Sequence, residues 1–64
     1  MNTLVKLELV IKVLKEDLGF GFGSINEYVN KLDGVVKEDG TYIDLDSIKL
    51  YLVKQVIKDR LDKK

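Results

Sequence analysis

Three glycines in five residues, Gly19-Phe20-Gly21-Phe22-Gly23, divide this chain into a short leading segment and a longer trailing one. Glycine inside a helix costs roughly 0.5–1 kcal/mol against alanine, because its backbone loses the most freedom on ordering. One helix therefore does not run through this point, and the elements on either side must fold back on one another.

In the leading segment Leu4, Leu7, Ile11, Leu14 and Leu18 recur at steps of three and four, along one helical face. Glu8 and Lys12 add an i to i+4 ion pair in the favourable order. A strand is the competing reading, since Val5, Leu7, Leu9, Ile11 and Val13 alternate with Lys6, Glu8 and Lys12. A run of about fifteen residues suits a helix better than a typical strand of five or six. The spacing predicts a helix over 3–18, closed by Gly19 as a left-handed stop.

Beyond the glycines, Ser24 and Glu27 stand at capping-box spacing and predict a second helix over 24–32, with Ile25, Tyr28, Val29 and Leu32 as its apolar stripe and Asp33-Gly34 as its end. Val35-Val36-Lys37-Glu38 and Thr41-Tyr42-Ile43-Asp44 then flank Asp39-Gly40. That pair predicts a two-residue hairpin turn with both residues at positive φ. Val36 would face Ile43 on one side, with Val35, Lys37, Tyr42 and Asp44 on the other. A last helix is expected from near Asp46, its cap, through about Leu61, with Lys63-Lys64 complementing the helix dipole. The expected fold is α+β, a single small domain over 1–64, in the order helix, helix, β-hairpin, helix.

Composition narrows the chemistry. Among 64 residues there is no Cys and no His, which removes thiolate and imidazole chemistry and the disulfides or zinc that often support small domains. Stability must come from apolar packing, and the apolar residues are bulky: Leu, Val, Ile, Phe and Tyr, with no Ala and no Trp. Eleven basic residues balance eleven acidic ones, so no long-range field draws in a polyanion. Lys6, Glu8 and Lys12 interrupt the one apolar stretch near the start, and neither a secretory signal nor a membrane span is expected. The reading is a cytoplasmic protein that does not contact membrane. Abundant Lys and Ile beside absent Ala and Pro suit an AT-rich coding sequence, as in a phage or plasmid of a low-GC bacterium.

Candidate sites are few. The glycine-rich segment before a helix lacks the Lys-Ser or Lys-Thr of a phosphate loop and the preceding strand of a dinucleotide fingerprint. Residues 39–46 resemble half of a calcium loop, yet Val35 and Lys37 fall where the first oxygen ligands belong. Asp44 and Asp46 are the one carboxylate pair to consider as acid and base, in a chain with little room for a cleft. No catalytic residue, cofactor or metal is expected.

Apolar surplus is the remaining signal. Val5, Leu9 and Val13 form a second line on the first helix, and the last helix spreads Leu45, Ile48, Leu52 and Val56 on one side and Leu50, Val53, Ile57 and Leu61 on another. Leaving several such side chains exposed would forgo on the order of 10 kcal/mol. Phe20 and Phe22 on the glycine-rich loop add two aromatic anchors. These features point to a non-catalytic protein-binding regulator or adaptor that self-associates as a homodimer or binds another protein. Its contact residues are expected to be Phe20, Phe22, Val5, Leu9 and Val13.

The hairpin and the run Ile43-Asp44-Leu45-Asp46-Ser47-Ile48 into the last helix, within 35–52, resemble the wing and following helix of winged-helix, excisionase-like regulators. That resemblance implies a DNA-binding regulator as the alternative. The residues that would meet DNA depart from it. The segment 24–32 carries only Lys31 as a cation, and the wing tip is Lys37-Glu38-Asp39.

Overall fold

The computed structural model describes residues 3–62, so the reading of Lys63-Lys64 lies outside the described residues. Three helices and a three-stranded antiparallel sheet make an α+β fold, with the helix, helix, hairpin and helix in the expected order. A strand that was not expected precedes them.

Strand β1, Leu4–Lys6, occupies what the periodicity assigns to the start of the first helix. It pairs with β3, Gly40–Asp44, placing Leu4 opposite Asp44, Val5 opposite Ile43 and Lys6 opposite Tyr42. The Leu45 N–H donates to the Thr3 carbonyl at 2.8 Å and extends the pairing. A two-stranded hairpin is marginal in water and gains from a third strand, and β-branched Val5 suits the half-buried pleat. The alternating pattern thus governs three residues and the helical pattern the rest. Helix α1, Leu7–Lys12, widens into a π turn at Val13–Asp17. Gly19 stops it at φ 70°, as expected, and the Phe20 N–H returns to the Leu14 carbonyl at 2.8 Å.

Helix α2, Phe22–Asn30, begins two residues before Ser24. Its cap is Gly21, whose extended backbone lets its carbonyl accept the Ile25 N–H at 2.9 Å, and no side chain caps this end. The capping box is therefore not formed. A glycine is a tolerated cap and its carbonyl suffices to start the helix, so Ser24 falls inside the first turn.

Strand β2, Gly34–Lys37, lies on the far side of β3, giving the sheet order β1-β3-β2. Val35 stands opposite Tyr42 and Val36 opposite Thr41, so Glu38 and Asp39 occupy the turn instead of Asp39-Gly40. Within the hairpin only Gly40 has a positive φ, 139°, and no non-glycine residue among those described does. Placing the positive φ on the glycine alone spares Asp39 a strained backbone. The register differs from the expected one by two residues. An even shift preserves the faces, and Val36 and Ile43 still share one side while Val35, Lys37, Tyr42 and Asp44 share the other.

After β3 the chain makes a 3-10 turn over Leu45–Ser47 and continues extended through Ile48 before helix α3, Tyr51–Asp62. The cap of that turn is Asp44, whose Oδ1 accepts the Asp46 N–H at 2.9 Å, and Asp46 instead reaches Lys54 Nζ at 3.7 Å. The last helix thus starts four residues later than a cap at Asp46 would set it. The detour places Leu45 and Ile48 in the core from non-helical backbone.

One apolar cluster sits between the sheet and the three helices: Val5, Val10, Val13, Leu14, Ile25, Ile43, Leu45, Ile48, Val53 and Ile57. No polar or charged residue among those described is buried. Stability rests on apolar burial, as a chain without cysteine or histidine requires.

Candidate interaction surface

The expected contact residues separate into two groups. Val5 and Val13 are 3% and 0% exposed, Val5 against Ile43 in the sheet and Val13 at the start of the π turn. Leu9 is half-buried beside Val56, at the mouth of an open hollow that Asp17, Asp59 and Arg60 also line. The second apolar line of the first helix is therefore largely consumed by the core. One end of it is not even helical, because Val5 belongs to β1.

Phe20 and Phe22 are placed differently. Phe20 packs against the core, while Phe22 at the first turn of α2 is 71% exposed. With Lys15, Gly21 and Ile25 they line a hollow of about 180 Å³. Lys15 Nζ stands 5.4 Å above the Phe22 ring, within cation–π range. The glycine-rich turn thus presents one phenylalanine and buries most of the other.

Larger apolar exposure occurs at positions the periodicity did not single out as contacts. Leu50, Tyr51 and Leu52 enter α3 with Tyr51 and Leu52 76% and 63% exposed, and Val36 on β2 is 84% exposed. Leu50 borders a groove of about 250 Å³ with Tyr28, Lys31, Leu32, Ser47 and Lys49. Burial raises the Tyr28 phenol above its ordinary pKa, with the Leu50 backbone offsetting part of the shift. The Tyr28 hydroxyl oxygen is sealed from solvent without a well-formed hydrogen bond. A signal existed in the sequence: three consecutive apolar residues, Leu50-Tyr51-Leu52, cannot share one helix face, so at least one must point outward.

Polar contacts tie the elements together. Arg60 of α3 holds Asp17 through two hydrogen bonds of 2.9 and 2.6 Å, with Glu16 3.9 Å away, and Asp17 raises the guanidinium pKa. The Ser47 hydroxyl donates to the Asp44 carbonyl at 2.7 Å and accepts the Asp33 N–H at 3.4 Å, joining the turn before α3 to the start of β2. Asp44 and Asp46, the carboxylate pair considered above, are engaged by the Asp46 N–H and by Lys54. Among the described residues no group of three or more carboxylates is arranged for a metal ion, and no helix is long and apolar enough to cross a membrane.

Lys31, the one cation of 24–32, lines the same groove as Lys49, while Lys37 of the wing tip lies over the Tyr42 ring at 5.1 Å. No family model matches the chain, and no curated protein or solved structure is significantly similar to it.

Proposed function

We propose that this chain acts without chemistry of its own, as a small protein-binding regulator or adaptor that associates with itself. The observation that carries this reading is the apolar surface left outside the core: Phe22, Val36, Tyr51 and Leu52 are each more than three-fifths exposed. Interfaces draw most of their energy from such aromatic and branched anchors once a partner excludes water from them. The surplus has moved from helix one, where Val5 and Val13 are buried, to the hairpin, the α2 start and the α3 entry.

Binding to DNA in the manner of a winged helix is the second reading. A helix, turn, helix and hairpin in sequence favour it, with β1 completing a three-stranded sheet. Electrostatics weigh against it. Charged residues balance overall, and Glu27 and Lys31 are the only charged residues from Ser24 to Leu32.

Titration of a labelled random duplex at two salt concentrations separates the two. The protein-binding reading expects no detectable affinity at physiological salt, because little counterion release is available. Submicromolar affinity falling with log salt at a slope of roughly −0.9 per phosphate contact would replace it with the DNA-binding one.

A further inference from the structure

We infer that two copies of the chain pair through the free edge of β2, in an antiparallel register centred on Val35, to form one continuous six-stranded sheet. The inference rests on the self-association reading above and supplies its interface.

All four residues of β2 are exposed, and its outer edge belongs to the strand at one end of the sheet order. Hydrogen-bond parity fixes which groups that edge offers. The Asp44 N–H donates to the Asp33 carbonyl directly opposite, at 3.1 Å, so Asp33, Val35 and Lys37 turn their backbone groups toward β3. Gly34 and Val36 then turn theirs outward. The ladder on the other side of β3 agrees, since the Leu45 N–H bonds to Thr3 and places Ile43 as the residue facing β1.

An antiparallel copy must match outward residues with outward residues. Two centres near the middle of the strand satisfy this, Val35 and Val36; a centre between them pairs an outward residue with an inward one. Charge decides between the two. Centring on Val36 would set Val35 against the partner's Lys37, an apolar–charged mismatch. Centring on Val35 sets Asp33 against the partner's Lys37, twice by symmetry.

The same register continues the apolar rows. Val5, Ile43 and Gly34 already lie side by side across the three strands, and the partner's Val36 becomes the next member. Gly34 has no side chain between that valine and Ile43, so the methyl groups of the most exposed large apolar residue find cover. On the opposite face Tyr42 and Val35 meet the partner's Val35. There Asp33 and Asp44, like charges across one hydrogen bond, receive the partner's Lys37 as a neighbour. Lys37 has only an exposed ring contact with Tyr42 to give up. The assembly leaves the three-residue β1 at each end, a short edge that discourages further addition.

Sedimentation velocity of the wild type, Lys37→Asp, and Asp33→Lys combined with Lys37→Asp tests the register, with circular dichroism confirming each fold. The wild type should dimerise, Lys37→Asp should weaken the dimer roughly tenfold or more, and the double exchange should restore it. Val36→Pro removes an outward N–H without touching the ladder to β3 and should give a folded monomer. A wild-type dimer unaffected by Lys37→Asp and Val36→Pro would overturn the edge while leaving self-association in place. A wild type that stays monomeric at millimolar concentration would overturn both.

Discussion

The leading segment and the hairpin with the α3 entry are both rich in branched apolar residues, and the fold treats them in opposite ways. Residues 4–18 give Val5, Val10, Val13 and Leu14 to the core, because β1 pairs with β3 and sets Val5 beside Ile43, and the turn into the π segment draws two consecutive residues inward. In Val35-Val36 and Leu50-Tyr51-Leu52 comparable side chains stay outside. What separates the regions is position in the architecture. The first supplies β1, an edge strand whose Val5 packs in the core beside Ile43, and the helix whose inner residues meet that core. By contrast, all four residues of the opposite edge β2 are exposed, and Tyr51 is the first residue of α3, where the chain has just left an extended stretch. Apolar content alone therefore does not tell core from interface.

The strongest test of this contrast compares truncations. Leu14→Ala should cost about 2–5 kcal/mol, since a fully buried leucine leaves a cavity that its neighbours fill only in part. Val36→Ala in the monomer should stay within about 0.5 kcal/mol, as for other surface substitutions. Chemical denaturation at low concentration reads both. Equal effects would dissolve the distinction between the regions.

A smaller effect is expected at the hairpin tip. Gly40→Val should destabilise by about 1–2 kcal/mol, because φ 139° strains any side chain. Asp39→Ala should carry no such backbone strain, since its φ is negative. A turn with both residues at positive φ would reverse that expectation, so the two denaturation midpoints together sharpen the register.

The smallest effect is pH-dependent and confined to the exposed hairpin. The Tyr42 hydroxyl donates to Asp39 Oδ2 at 2.8 Å, which lowers the Asp39 pKa and raises that of Tyr42. The depressed carboxylate contributes stability above the ordinary Asp range that is lost as pH falls through its folded pKa. The raised phenol contributes stability below the ordinary Tyr value that is lost as pH rises through its folded pKa. Hairpin amide protection should thus hold at neutral pH and weaken slightly at both extremes, and Tyr42→Phe should flatten the profile. Protection that is already pH-independent in the wild type would remove this bond from the account.

Much of the fold was legible because local rules and tertiary demands agreed. Gly19 stops a helix wherever the chain goes next, and the two faces of the hairpin survive an even register shift. The failures come where a distant element decides. The alternation at Val5 and Lys6 allowed a strand, but only pairing with the distant β3 decides for it at residues 4–6, and that contact turns Val5 from a surface candidate into core. Ser24 and Asp46 are sound caps by type, but Gly21 and Asp44 started their turns first. Of the exposed apolar residues, Phe22 was foreseeable from its glycine-rich setting, while the exposure of Val36 required the sheet order and that of the α3 entry the detour through Ile48.

The central proposal is that a second copy pairs along the free edge of β2 and covers Val36 there. Amide exchange of Gly34, Val35 and Val36, followed by NMR as protein concentration rises, reads it residue by residue. The Val35 N–H already faces β3, so its protection should change little, whereas Gly34 and Val36 should gain protection together as the dimer fills. Gly34 and Val36 amides that exchange equally fast at every concentration would contradict the claim.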